Sequence, residues 1–372
     1  MLPIENWTQV MEPSPEEDND YMLVLSSIVI IGLVGNIISL VTILNSRLKR
    51  ITANQYLIVL TASDSVFLAA MILILFKVDY VNFHFCVVIE YILMTSSYVS
   101  SWSVVALTIE RYIAIAHPLK HMKLSHIPRA KIMAYWVPIP FLFNLIQFIT
   151  LSPTNADPDW PNVKQCGIRE GPLQMTVEIT DVVLSYVLPC LTVVFLNTFI
   201  ASTVHKAGKG LFGSQDNLST ADRQSRNRRT GNVNTGSTRI LLVVPIVYTV
   251  LNTPFYLMRI MDTLALNLFN SKAFSMQGMA EDPLAVFFYN AAHYLYYLNF
   301  ASDFMVYAFT SANFRKSVTL AWAQLLCPKW AAKKFHRDTH LENTLVSNRT
   351  QIPSIRNSHL RSTPSNNTPT EL

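Results

Sequence analysis

Charged side chains are scarce in this sequence. Asp, Glu, Lys and Arg make up 14% of the 372 residues, apolar types make up 51%, and the mean hydropathy is positive at +0.28. Soluble domains carry roughly a quarter charged residues, so an ordinary water-soluble core is excluded and the bilayer is the expected solvent. Lys and Arg are missing altogether from the first 21 residues, which hold Glu5, Glu12, Glu16, Glu17, Asp18 and Asp20. No basic stretch with a small-residue cleavage site precedes the first apolar run, so that run is expected to be retained as an anchor. No repeat of the span pattern is visible, which argues against a transporter built from duplicated halves.

Long apolar runs stand where the charges are missing. Seven spans are expected, at about 22–46, 54–77, 86–117, 129–151, 176–204, 237–265 and 285–310, each long enough to cross hydrocarbon with some tilt. Basic residues fix their expected orientation. Arg47, Lys49 and Arg50 follow the first span, and Lys120, Lys123 and Arg129 follow the third. Lys206, Lys209, Arg223, Arg226, Arg228 and Arg229 follow the fifth. Short Lys- and Arg-rich loops stay cytoplasmic, which predicts an extracellular N-terminus and a cytoplasmic C-terminus. The net charge of +5 is then an orientation signal, and a nucleic-acid partner is not expected. Residues 1–21, 207–236 and 338–372 are polar and rich in Ser, Asn, Thr, Pro or acid, and are expected to be unstructured.

Cysteines are few, and their positions separate their roles. Cys86 opens the third span on the outer face and Cys166 lies in the outer loop between spans four and five. An oxidising exterior predicts a bridge between them. Cys190 is expected to be a small buried side chain in span five, and Cys327, in a basic stretch after the last span, a palmitoylation site. Asn6-Trp7-Thr8 is an acceptor for N-glycan on the outer side, whereas Asn348 and Asn366 match the pattern on the cytoplasmic side and are rejected.

The strongest constellation is Glu110-Arg111-Tyr112 at the inner end of the span that Cys86 opens. About 25 residues lie between Cys86 and Arg111, enough rise to cross a core of roughly 30 Å. An arginine at that depth costs roughly 2.5 kcal/mol or more and is usually partnered, and Glu110 is the expected partner. His117 and His121, four residues apart, could suggest a metal, but no acid accompanies them in the loop and a solvated turn is expected. An enzyme is therefore not expected.

These residues resemble the rhodopsin-like (class A) G-protein-coupled receptors over about residues 22–325. The resemblance rests on ordered landmarks: Gly35-Asn36, then Asn54, Leu57 and Asp64, then Cys86 with Glu110-Arg111-Tyr112. Trp136, Pro189, Pro254 and Asp303-Phe304-Met305-Val306-Tyr307 followed by Phe314 continue the order. It implies an all-α membrane protein, a seven-transmembrane helix bundle with a short amphipathic cytoplasmic helix, and a tail from 326 to 372. The chain departs from the family pattern at Asn197, at Asn234, at Asn252 two residues before the sixth-span proline, and at Asp303-Phe304. The last change predicts a seventh span without a proline kink.

The resemblance also implies roles. Glu110, Arg111, Tyr112, Leu119 and Tyr307 would serve coupling to a heterotrimeric G protein, with Glu110 holding Arg111 at rest and Leu119 as a hydrophobic plug. Asn36, Asp64, Ser100, Asn299 and Asp303 would form a polar core that binds sodium or shares a proton. Leu93 stands where amine receptors carry an acid, and the seventh span has no lysine for retinal. Glu90, Leu93, Arg259, Asp262, Tyr289, His293 and Tyr297 would line an open ligand pocket of both charge signs. Such a pocket suits an amidated neuropeptide, and an acidic N-terminus would attract a basic one. A lipid or other small-molecule ligand is the alternative, and a channel or transporter a remoter one. Leu251-Asn252-Thr253-Pro254 and Ile115-Ala116-His117-Pro118-Leu119 look similar to invertebrate receptors of the FMRFamide and myosuppressin type. Ser and Thr residues between Thr339 and Thr370 would be phosphorylated by a receptor kinase and bind arrestin.

Overall fold

The structure is a computed structural model, and it describes residues 15–46, 49, 52–78, 82–124, 126–155, 164–168, 172–213, 235–267 and 282–326. The chain divides into two units, Met1–Ala321 and Trp322–Leu372. The membrane bundle lies in the first; of the second, only the end of one helix is described. Asn6, Cys327 and the Ser/Thr-rich tail lie outside the described residues.

The first three spans are single helices, Pro15–Asn45, Thr52–Leu75 and Phe83–Ala116. The first begins at Pro15, so the acidic segment expected to be unstructured is helical over its last residues. Asn82 caps the third, its side chain accepting from His84 N at 3.2 Å. A short helix, Pro118–Leu124, follows. The fourth span, Arg129–Thr150, is stepped: Arg129–Trp136, Pro138–Phe143, a tight turn at Asn144–Ile146, and Gln147–Thr150. Pro138 and Pro140 remove backbone donors there, which accounts for the steps. Two antiparallel strands, β1 (Leu151–Asn155) and β2 (Lys164–Ile168), pair Pro153 with Cys166.

The fifth span runs Pro172–Val182, a wider π turn over Val183–Val187, and Leu188–Gly213. The sixth is Thr235–Asn267 and contains Pro245 and Pro254. Both enter the segment 207–236 that was expected to be unstructured. Within the π turn the Leu188 N–H reaches Val183 O, which frees the Leu184 carbonyl. The Trp102 indole N–H of the third span takes it at 3.1 Å.

The seventh span departs from expectation. It has no proline after its first residue, Pro283, yet is broken into Pro283–Ala301 and Asp303–Thr310 at Ser302. Side-chain donors account for the break. Asn36 Nδ2 donates to Phe300 O at 2.8 Å, Ser302 Oγ donates to Asn299 O at 3.1 Å, and the helix restarts with Val306 N on Ser302 O. Carbonyls already satisfied by side chains no longer hold the ladder together. Helix Ala312–Leu326 follows, with Phe314 edge-on to Tyr307 at 5.6 Å.

Among the described residues six helices are long and apolar enough to cross a membrane, and the divided seventh completes a seven-helix bundle. The third is its axis. It packs on spans two, four, five and six, and 78% of its apolar window is buried, against 17% for the fourth. Because lipid is as apolar as leucine, helices associate through close packing and polar contacts. Gly32 and Gly35 of the first span lie against Ala301 and Phe304 of the seventh.

Candidate functional site

Cys86 and Cys166 form a disulfide with Cα atoms 5.9 Å apart, as expected. It ties β2 to the start of the third span, and both sulfurs are buried with Val87 and Leu151. This marks one end of the bundle. Glu110 and Arg111 mark the other, roughly 36 Å away along the same helix.

At the Arg111 end the expected ion pair is absent. Glu110 does not hold Arg111; its Oε1 accepts from Arg129 Nη2 at 2.7 Å and contacts His121 Nε2 at 3.1 Å. Arg129 was expected to be a loop cation, but its side chain is fully buried, and its Nη1 also donates to Leu124 O at 2.7 Å and Ile127 O at 3.1 Å. His121 has an acid companion after all. Adjacent helical side chains point about 100° apart and cannot face each other, which is why Glu110 looks away from Arg111. Arg111 is half-buried, makes no ion pair among the described residues, and has a buried Nε without a hydrogen-bond partner. Tyr112 packs edge-on against His117 at 5.7 Å and Phe199 at 6.5 Å. Leu119 is 77% exposed. Tyr307 is not at this end surface: it is buried, with its hydroxyl 3.1 Å from Thr61 Oγ1.

The middle of the bundle holds the expected polar cluster. Asp64, Ser100, Asn299 and Asp303 line one water-sized cavity together with Ser302 and Tyr248. Asn36 is turned to the seventh-span backbone. Thr61, absent from the expected set, donates to Asp303 Oδ2 at 2.7 Å and so links Asp303 to Tyr307. Asp64 Oδ1, Asn36 Oδ1 and Ser100 Oγ are buried with no hydrogen-bond partner.

Toward the disulfide end, the residues expected to line an open pocket of both charge signs are largely buried. Glu90, Leu93, Asp262 and Tyr297 are buried, and Tyr289 and His293 are half-buried. Arg259 Nη1 lies 2.7 Å from Asp181 Oδ2, and the Tyr98 hydroxyl donates to Asp181 Oδ1 at 2.8 Å. The rings of Tyr289 and His293 meet at 4.1 Å in a tilted, 44° contact, and Glu90 lies near Tyr297 and Asp262 near Tyr289. Tyr186 stacks on Tyr256 at 4.3 Å, and Phe255 stacks on Tyr296 at 4.3 Å. Asp181, Tyr98 and Tyr186 were missed by sequence reasoning. An acid early in the fifth span, far from any basic neighbour, was the signal for the first. Cys190 is a free thiol, half-buried beside this aromatic core.

The chain is 26% identical over 281 residues to neurotensin receptor type 1 of Mus musculus, covering 68% of this chain and 61% of that protein. It is 28% identical over 278 residues to the thyrotropin-releasing hormone receptor of Ovis aries, covering 67% and 69%. It is 23% identical over 300 residues to the allatostatin-A receptor of Bombyx mori, covering 77% and 74%. The chain therefore spans less than two thirds of the mouse neurotensin receptor's length. A family model for seven-transmembrane receptors of the rhodopsin family matches residues 35–307, the stretch that carries Asn36, Asp64, the disulfide, Arg111 and Tyr307. With the divided seventh span and the axial third in place, the chain belongs to the rhodopsin family of seven-transmembrane receptors.

Proposed function

We propose that this chain is a plasma-membrane receptor, N-terminus outside, that binds an extracellular neuropeptide and activates a heterotrimeric G protein. The observation that carries the peptide reading is the gathering toward the disulfide end of charged Glu90, Asp181, Arg259 and Asp262 with the aromatic side chains of Tyr98, Tyr186, Tyr256, Tyr289 and His293. Convergent charges of both signs among aromatics suit a polar chain with side-chain anchors better than a lipid. The similar receptors named for neurotensin, thyrotropin-releasing hormone and allatostatin-A support it.

Arg111 carries the coupling reading. Among the described residues its side chain has no carboxylate to leave, so a ligand need only favour the state in which the sixth span moves away and opens a cleft beside it. Exposed Leu119 would seat against the G protein. Receptor kinase and arrestin would act on the Ser/Thr-rich tail, and lipid surrounds the apolar faces.

The polar cavity would be the site of a sodium ion. Asp64 and Asp303 would supply the charge, and the unpartnered oxygens of Asp64 and Ser100 that line the cavity are hard ligands of the right type. Two buried acids bind a cation or share a proton, and oxygens lacking donors favour the cation. A bound ion would neutralise Asp64 and hold the second, third and seventh spans together.

The test is a neuropeptide panel on cells expressing the chain with a promiscuous Gα, read as calcium release. We expect activation by a peptide, and loss of that response in Arg111→Ala at equal surface expression. A full response from the Arg111→Ala receptor would overturn the coupling reading.

A further inference from the structure

The Asp181–Arg259 pair joins the fifth and sixth spans inside the proposed peptide pocket. Its side chains are 7% and 16% exposed and 2.7 Å apart. Asp181 is held from two sides. The Tyr98 hydroxyl of the third span donates to its Oδ1 at 2.8 Å and approaches its backbone carbonyl at 3.3 Å, while the guanidinium faces Oδ2. Arg259 is therefore already neutralised. A guanidinium has five N–H donors in a planar fork, and only part of that fork faces Asp181, so a further acceptor can approach the rest.

We propose that Asp181 is an internal counter-ion that sets the chemistry this pocket accepts: a neutral carbonyl acceptor, such as a peptide's C-terminal carboxamide, in preference to a free carboxylate. The inference rests on the peptide reading above and deepens it. A carboxamide oxygen accepts from the free side of the Arg259 fork without altering the charge of the pair. Its NH2 can donate toward Asp181, whose buried carboxylate has spare lone pairs. A free carboxylate would instead set two like charges around one guanidinium in a desolvated site, where like-charge juxtaposition is costly. The neighbours push the same way. Tyr186, Tyr256 and Tyr296 are buried in the same aromatic core, a low-dielectric surrounding in which an added anion would be poorly screened.

The test uses a panel of synthetic neuropeptides, each made as the C-terminal amide and as the free acid, on cells expressing the full chain. On the wild-type receptor an activating peptide should be on the order of thirty-fold or more stronger as the amide, the size of a desolvated like-charge penalty. Asp181→Asn keeps the shape and an acceptor for Tyr98 but removes the charge. It should cut the amide-to-acid ratio at least tenfold, with the free acid gaining potency in absolute terms. A structural defect would lower both forms together and could not produce that gain. Asp181→Ser is assayed in parallel, so that a surface-expression defect in one variant does not decide the result. Equal potency of the two forms on wild type, or a ratio unchanged in the variants, overturns the inference while the peptide reading stands. If no peptide in either form activates a surface-expressed wild type, the peptide reading falls and the inference with it.

Discussion

Replacing Arg129 with glutamine separates the two possible assignments of Glu110. Arg129 is wholly buried and Glu110 nearly so, 2.7 Å apart. Removing one partner of a buried pair costs about 3–5 kcal/mol, chiefly by stranding the other charge. We take about 3, because His121 remains beside Glu110. The two bonds from Nη1 to Leu124 O and Ile127 O add about 1 kcal/mol each, which brings the total to about 5 kcal/mol. At about 2 °C per kcal/mol for a chain of this size, the melting temperature should fall by about 10 °C. The assay is tryptophan fluorescence of purified receptor in detergent at a fixed scan rate, since unfolding of such proteins is often irreversible. The double variant Glu110→Gln with Arg129→Gln strands no charge, so it should recover the pair's share and fall by only about 4 °C. Arg111→Gln, which breaks no ion pair, should move the transition by less than about 2 °C. If Arg111→Gln destabilises as much as Arg129→Gln, or if the double variant is no better than the single, Glu110 is not held by Arg129 and the reasoning fails.

Two further outcomes are expected. Cys86→Ser should leave Cys166 reactive toward a membrane-impermeant maleimide on intact cells and lower surface expression; absence of new labelling would count against both the bridge's accessibility and the proposed outside location of that end. Thr61→Val, similar in shape but without the donor to Asp303 and the contact to Tyr307, should destabilise by about 1–3 kcal/mol, measured by the same fluorescence transition, and an unchanged transition would mean that water replaces the hydroxyl.

The sequence was most legible where a signal is local or ordered along the chain. Seven apolar runs follow from hydropathy and the Cys86–Cys166 bridge from two cysteines on the oxidising face, while the gathering of Asp64, Ser100, Asn299 and Asp303 around one cavity was implied by the ordered landmarks of the family resemblance. The pairings of charge were less legible. Glu110 was assigned to the nearest cation in the sequence, whereas its partner is 19 residues on, beyond a loop that returns the chain to the third span. Asp181 and Arg259 meet only because the fifth and sixth spans lie side by side, which no single segment reveals. Proline marked the fourth, fifth and sixth spans, but the break at Ser302 depends on Asn36, from the other end of the chain, capturing the Phe300 carbonyl.

Gly32 carries no charge, lines no cavity and touches no ligand pocket, yet a side chain there has nowhere to go. A Cβ at that position would come 2.7 Å from the Ala301 Cα and overlap the alanine methyl, with Leu68 closing the third side at 3.1 Å. The atoms in the way are mostly backbone and methyl, which cannot rotate aside. Even alanine would have to push the first helix off the seventh, just beside the break at Ser302 where Asn36 reaches across. A saturation-mutagenesis survey of this receptor would therefore rank Gly32 beside Arg111 and Asp64 in intolerance, for a wholly different reason. Loss there would track with missing protein at the cell surface, and ligand titrations on the few surviving molecules would look close to normal.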